Sequence, residues 1–66
     1  MKRYELKIIV GGGYLYDDVQ ECDDLMVDDA KYKFIKYNNP GGIGSVTVIA
    51  IYPVDRTIIS KIKKLD

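Results

Sequence analysis

The sequence predicts a mainly β fold: one small domain over residues 1–66, built as a strongly bent sheet or closed barrel of about five strands. Three observations carry that prediction. Residues 3 to 10 alternate with period two, Tyr4, Leu6, Ile8 and Val10 on one face and Arg3, Glu5 and Lys7 on the other. KYKFIKY (Lys31 to Tyr37) and SVTVIAIY (Ser45 to Tyr52) are aromatic and β-branched, the side chains that suit a pleated surface. Glycine clusters separate these runs, and no internal repeat or linker interrupts them.

In chain order, the first strand runs into Gly11-Gly12-Gly13, where glycine admits the positive φ of a tight turn. Tyr14 to Val27 supports two readings. Leu15, Val19, Cys22 and Met26 would line one face of a short helix within residues 15–27, with Asp18-Val19-Gln20-Glu21 as a capping box. Against it, Asp23 and Asp24 propagate helices poorly, and Asp28 and Asp29 would meet the negative end of the macrodipole. Two short strands, about Tyr14 to Glu21 and Leu25 to Asp28, are favoured, with "DDAK" turning into the Lys31 strand. SVTVIAIY is apolar on both faces and is expected to be a central strand, ended by Pro53, which lacks an amide donor. TIISKIKKL would place Ile58, Ile62 and Leu65 on one helical face, but its β-branched start and its position after the "PVDR" turn fit a closing strand better.

Composition narrows the class of function. Hydrophobic residues make up 47% and charged residues 30%, as in a globular domain rather than a disordered chain. Net charge is zero, which disfavours a nucleic-acid binder. The chain has one cysteine and no histidine, so neither an internal disulfide nor a zinc site is expected, and no cofactor or metal is assigned. MKRYELKIIV is too short and too charged for a signal-peptide core or a membrane span, so a cytoplasmic protein is expected. Richness in Ile, Lys, Asp and Tyr is common in AT-rich genes, including those of bacteria and their phages.

The nearest architecture is an SH3-like or Sm-like barrel. The run IIVGGGYLYDDVQECDDLMVDDA resembles Sm-like RNA-binding proteins in its strand, glycine turn, strand and Asp-x-x-Met order, over about a third of the chain. Val27 stands where that family has a base-contacting Asn, no Arg-Gly pair precedes the last strand, and Asp18 occupies a position usually small. No RNA-binding residue is therefore carried over.

Three features are candidate sites. NNPGGIGS (Asn38 to Ser45) is not a P-loop, because no lysine precedes Ser45 and a strand follows where a helix would be needed. It is expected to be a hairpin connection. With Gly11, Gly12 and Gly13, its Gly41, Gly42 and Gly44 could offer backbone amides to a small phosphorylated ligand, helped by Lys36 and Arg56. The acidic block holds Asp17, Asp18, Glu21, Asp23, Asp24, Asp28 and Asp29 with no basic residue among them. Read functionally, it is an anionic surface for a protein partner with a basic surface. It is no EF-hand, lacking the central Gly and terminal Glu. Of the tyrosines, Tyr4, Tyr32 and Tyr52 suit the core or its edge, while Tyr14 and Tyr16 suit an exposed contact. Cys22 is expected to be a small buried hydrophobe.

Catalysis is not expected, since no histidine is present and no pair of carboxylates is singled out. The leading expectation is a non-enzymatic intracellular binding protein that occludes a larger protein, such as a phage or mobile-element inhibitor of a host defence factor. Tyr14, Tyr16, Asp17, Asp18, Glu21, Asp23 and Asp24 would carry the contact. The alternatives are a binder or sponge for a phosphorylated nucleotide and, less favoured, an Sm-like or OB-like nucleic-acid binder. A homodimer is expected from size alone, because so short a chain buries little apolar surface by itself.

Overall fold

The computed structural model describes residues 1–38 and 44–65. Six strands follow one another: β1 (Lys2–Val10), β2 (Tyr14–Cys22), β3 (Asp24–Asp28), β4 (Lys31–Tyr37), β5 (Val46–Pro53) and β6 (Thr57–Lys64). They form two three-stranded antiparallel sheets, ordered β2-β1-β6 and β3-β4-β5. The ambiguous segment is strand, not helix, and it passes from one sheet to the other at Asp23. Among the described residues no hydrogen-bonded closure joins the sheets into a barrel.

The expected position of SVTVIAIY needs correction. β4 is the central strand of the second sheet, and β5 lies at its edge. The apolar residues on its two faces do different things. Ala50 and Tyr52 pack on the core, whereas Val46, Val48, Ile49 and Ile51 are exposed. A strand apolar on both faces can be buried twice, or it can be an edge left unshielded.

The core is small. Tyr4, Leu6, Cys22 and Phe34 form it, flanked by Leu25, Tyr32, Ala50, Tyr52 and Ile59. Phe34 is fully buried between two tyrosines, meeting Tyr4 at 5.2 Å and Tyr52 at 5.5 Å, both edge to face. That arrangement sets positive ring edges on negative faces, and each pair adds about 0.5–1.5 kcal/mol beyond area burial.

Turn chemistry sets the registers. Val10 pairs with Tyr14 across a three-residue glycine loop in which Gly12 and Gly13 have φ of 80° and 82°. Asp28 pairs with Lys31 across Asp29 and Ala30, at φ 51° and 57°. Positive φ at both central residues is the type I′ pattern, whose twist matches that of the flanking strands. Asn38 donates its amide to the Ser45 carbonyl at 3.2 Å, which joins β4 to β5 as the expected hairpin connection; Gly41 and Gly42 lie outside the described residues. The Val54 amide bonds the Ala30 carbonyl at 3.0 Å and ties the β5–β6 turn to the β3–β4 hairpin.

Candidate interaction site

The face of the first sheet that carries the core changes character along its length. In register, Tyr4 pairs with Gln20, Leu6 with Asp18, Ile8 with Tyr16 and Val10 with Tyr14. Tyr4 and Leu6 are buried, Ile8 is half-buried, and Val10, Tyr14 and Tyr16 are exposed. The core-facing surface thus runs on past the cover supplied by the second sheet. Tyr14 is 73% exposed and Tyr16 60%. A Cβ on Gly12 would come within 3.1 Å of the Tyr14 ring, so the glycine loop leaves room for that ring. Tyr14 and Tyr16 are thus exposed, together with Val10.

The acidic block is drawn inward more than its composition suggests. Asp18 Oδ2 accepts from the Tyr52 hydroxyl at 2.6 Å, and that hydroxyl accepts from Gln20 Nε2 at 2.8 Å, linking β2 to β5. Burial first, and then the hydrogen bond to Asp18, pushes the Tyr52 pKa up. Asp23 accepts the Tyr37 amide at 2.9 Å. Asp24 accepts the Leu25 amide at 2.8 Å and the Tyr37 hydroxyl at 2.9 Å. The Leu25 amide, followed by the Tyr37 hydroxyl, holds the Asp24 carboxyl below its usual range. Glu21 pairs with Arg3 at 2.7 Å, Asp17 with Lys7 at 2.8 Å and Asp28 with Lys33 at 3.1 Å. Only Asp29 of the block has no side-chain partner among the described residues.

These acids differ in what they can offer a partner. Asp18, Asp23 and Asp24 are half-buried and hold the fold together. Asp17 keeps 78% of its side chain exposed despite its lysine, and Glu21 keeps 43%. Exposed pairs of this kind contribute about 0–1 kcal/mol, so either acid can exchange its cation for a partner's. The tyrosine patch and Asp17 are consecutive on β2, with Tyr14 and Tyr16 on one face and Asp17 on the other.

The residues considered for a phosphorylated ligand fall into two groups. Gly11 to Gly13 join β1 to β2, and Arg56 immediately precedes Thr57, the partner of Ile8, near that same end. Gly44 lies in the β4–β5 connection and Lys36 near the end of β4, beside Tyr37 and so toward the Cys22–Asp24 corner. The nine residues of β2 lie between the two loops, about 30 Å of strand. One ligand touching both loops would need two copies of the chain. A depression of about 180 Å³, lined by residues including Lys7, Asp17, Asp18 and Ser60, is below the ~300 Å³ at which small-molecule pockets begin.

Cys22 is fully buried and donates to the Asp24 carbonyl at 3.3 Å. Burial dominates its environment and pushes the thiol pKa up, the opposite of what a nucleophile needs. Among the described residues no group of three or more Asp, Glu or Cys is placed to hold a metal ion, and no helix is long and apolar enough to cross a membrane. No protein-family model, curated protein or solved structure matches the chain.

Proposed function

We propose that the protein is a non-enzymatic binding module that acts by covering part of a larger protein, as an occluding inhibitor does. The observation that carries this reading is the uncovered end of the core-facing sheet surface, where Tyr14 and Tyr16 stand exposed beside Val10. Tyrosine suits such a contact because its ring buries large area at the cost of two torsions, while the hydroxyl keeps a polar partner. Asp17 and Glu21, on the opposite face of the same edge strand, make that face of β2 negative, favouring a partner that reaches around the edge with a basic surface. Asp18, Asp23 and Asp24 support the site by fixing β2 and the strand after it.

Affinity capture from a lysate of the source cells, followed by native mass spectrometry, tests the reading. A discrete protein companion is expected, and it should be lost with Tyr14→Ala/Tyr16→Ala while circular dichroism stays unchanged. A companion retained by that folded variant would remove the tyrosine patch from the interface. A small phosphate-bearing mass released on denaturation would instead favour ligand binding at Gly11 to Gly13 and Arg56.

A further inference from the structure

Each sheet has two outer edges, so β2, β6, β3 and β5 all present a row of backbone groups to their surroundings. An open edge is a template for another strand, and folded proteins commonly blunt it with charge. Three of these four edges are blunted in this way. β2 carries Asp17, Asp18 and Glu21, β3 carries Asp24 and Asp28, and β6 carries Lys61, Lys63 and Lys64. β5 is not. No charged residue occurs between Lys36 and Asp55, and Val46, Val48, Ile49 and Ile51 are all exposed on β5.

Among the described residues, β5 pairs with β4 alone, and no other backbone hydrogen bond reaches Val46–Tyr52. Its register against β4 skips Ile49, a bulge that bends the strand without adding charge.

We infer that β5 is the self-association edge of this protein, pairing antiparallel with β5 of a second copy about a twofold axis. The result is a continuous six-stranded sheet, β3-β4-β5-β5-β4-β3. Charge selects this occupant. A twofold contact sets a strand against itself, so β2 or β3 would bring acid against acid and β6 lysine against lysine. Like charges placed opposite each other destabilise a strand pair. Only β5 is neutral and apolar enough to be complementary to itself. An uncharged strip also offers nothing to steer a charged partner toward it. The thin core supplies a further reason, because pairing would shelter aliphatic side chains that the monomer leaves in water. A single strand pair is small beside the ~800 Å² per partner of a standard interface, so the dimer is weak and reversible. The inference is independent of the tyrosine patch.

Sedimentation equilibrium on the full chain, from about 1 to 500 μM, is the test. The wild type should move from monomer to dimer across that range, and no further. Ile51→Lys, at a position 54% exposed and therefore tolerant of lysine, should weaken association at least tenfold. Val48→Lys is the second variant, and Val19→Lys on β2 the control that leaves Kd unchanged. Amide exchange should show β5 protection that rises with concentration. A wild type that stays monomeric at 500 μM overturns the inference, as does a dimer that survives both β5 lysines in folded protein. Species larger than a dimer overturn the twofold closure. Protection of β5 that appears only when a different protein is bound overturns self-pairing.

Discussion

Replacing Tyr52 with phenylalanine removes one oxygen atom and little else. The hydroxyl donates to Asp18 Oδ2 at 2.6 Å and accepts from Gln20 Nε2 at 2.8 Å, so one atom joins β5 of the second sheet to β2 of the first. A hydrogen bond to a charged acceptor contributes about 1.5–3 kcal/mol, and one between neutral groups about 1 kcal/mol. Asp18 and Gln20 are only half-buried and would be partly rehydrated, which returns a share of the loss. The ring itself stays against Phe34. The net expectation is a destabilisation of about 2 kcal/mol, or about 8–16 °C in melting temperature for a domain this small. Urea unfolding of Tyr52→Phe, Asp18→Ala and the double variant measures it. The cycle should return a coupling of about 1–1.5 kcal/mol, because each single change breaks the same bond. A loss under about 0.5 kcal/mol with no coupling would refute the claim that this bond fastens the sheets.

Three further outcomes follow from the same geometry. Ala30 sits at φ 57°, where a Cβ is strained, so Ala30→Gly should stabilise by about 0.5–1 kcal/mol in urea unfolding. Thr57 Oγ1 is buried with no hydrogen-bond partner among the described residues, so Thr57→Val, which keeps the shape and removes the unsatisfied hydroxyl, should add about 1 kcal/mol and raise the thermal midpoint. Stability should also fall at both ends of a pH series of thermal melts. Tyr4, Cys22 and Tyr52 have pKa values raised chiefly by burial, so their contribution is complete below the ordinary thiol and phenol values of 9.0 and 10.0 and is lost as pH climbs through the higher folded values. Asp24 is held low, so its contribution is complete above the ordinary 3.8 and is lost as pH falls through the lower folded value.

Strands were legible wherever the pattern is local. The alternation of β1 and the aromatic, β-branched runs of β4 and β5 identify themselves. Aspartate's poor helix propensity separated β2 and β3 from a helix of similar apolar spacing. Burial of Tyr4 and Cys22 against exposure of Tyr14 and Tyr16 also follows from local context, since the last two are bracketed by glycines and aspartates. Pairing partners are not local. Nothing near Asp18 announces a tyrosine 34 residues away, so the acids read as a free surface when several are internal fasteners. The edge position of β5 was hidden for a related reason. Apolar residues on both faces report that no charge was placed there, and are silent on whether a strand or solvent lies beside it.

The placement of β6 shapes how the chain must assemble. β1 is the middle strand of its sheet, and its second neighbour is β6, with the Ser60 hydroxyl reaching the Glu5 carbonyl across 55 residues. The β1–β2 and β3–β4 hairpins can close within a few residues, quickly and independently. The β1–β6 pairing must gather nearly the whole chain before any bond repays the lost entropy. During synthesis one side of β1 therefore waits unpaired until β6 has emerged, and the late arrival of three lysines on that strand completes the sheet. Kinetically this is a molecule of fast halves and one slow seam.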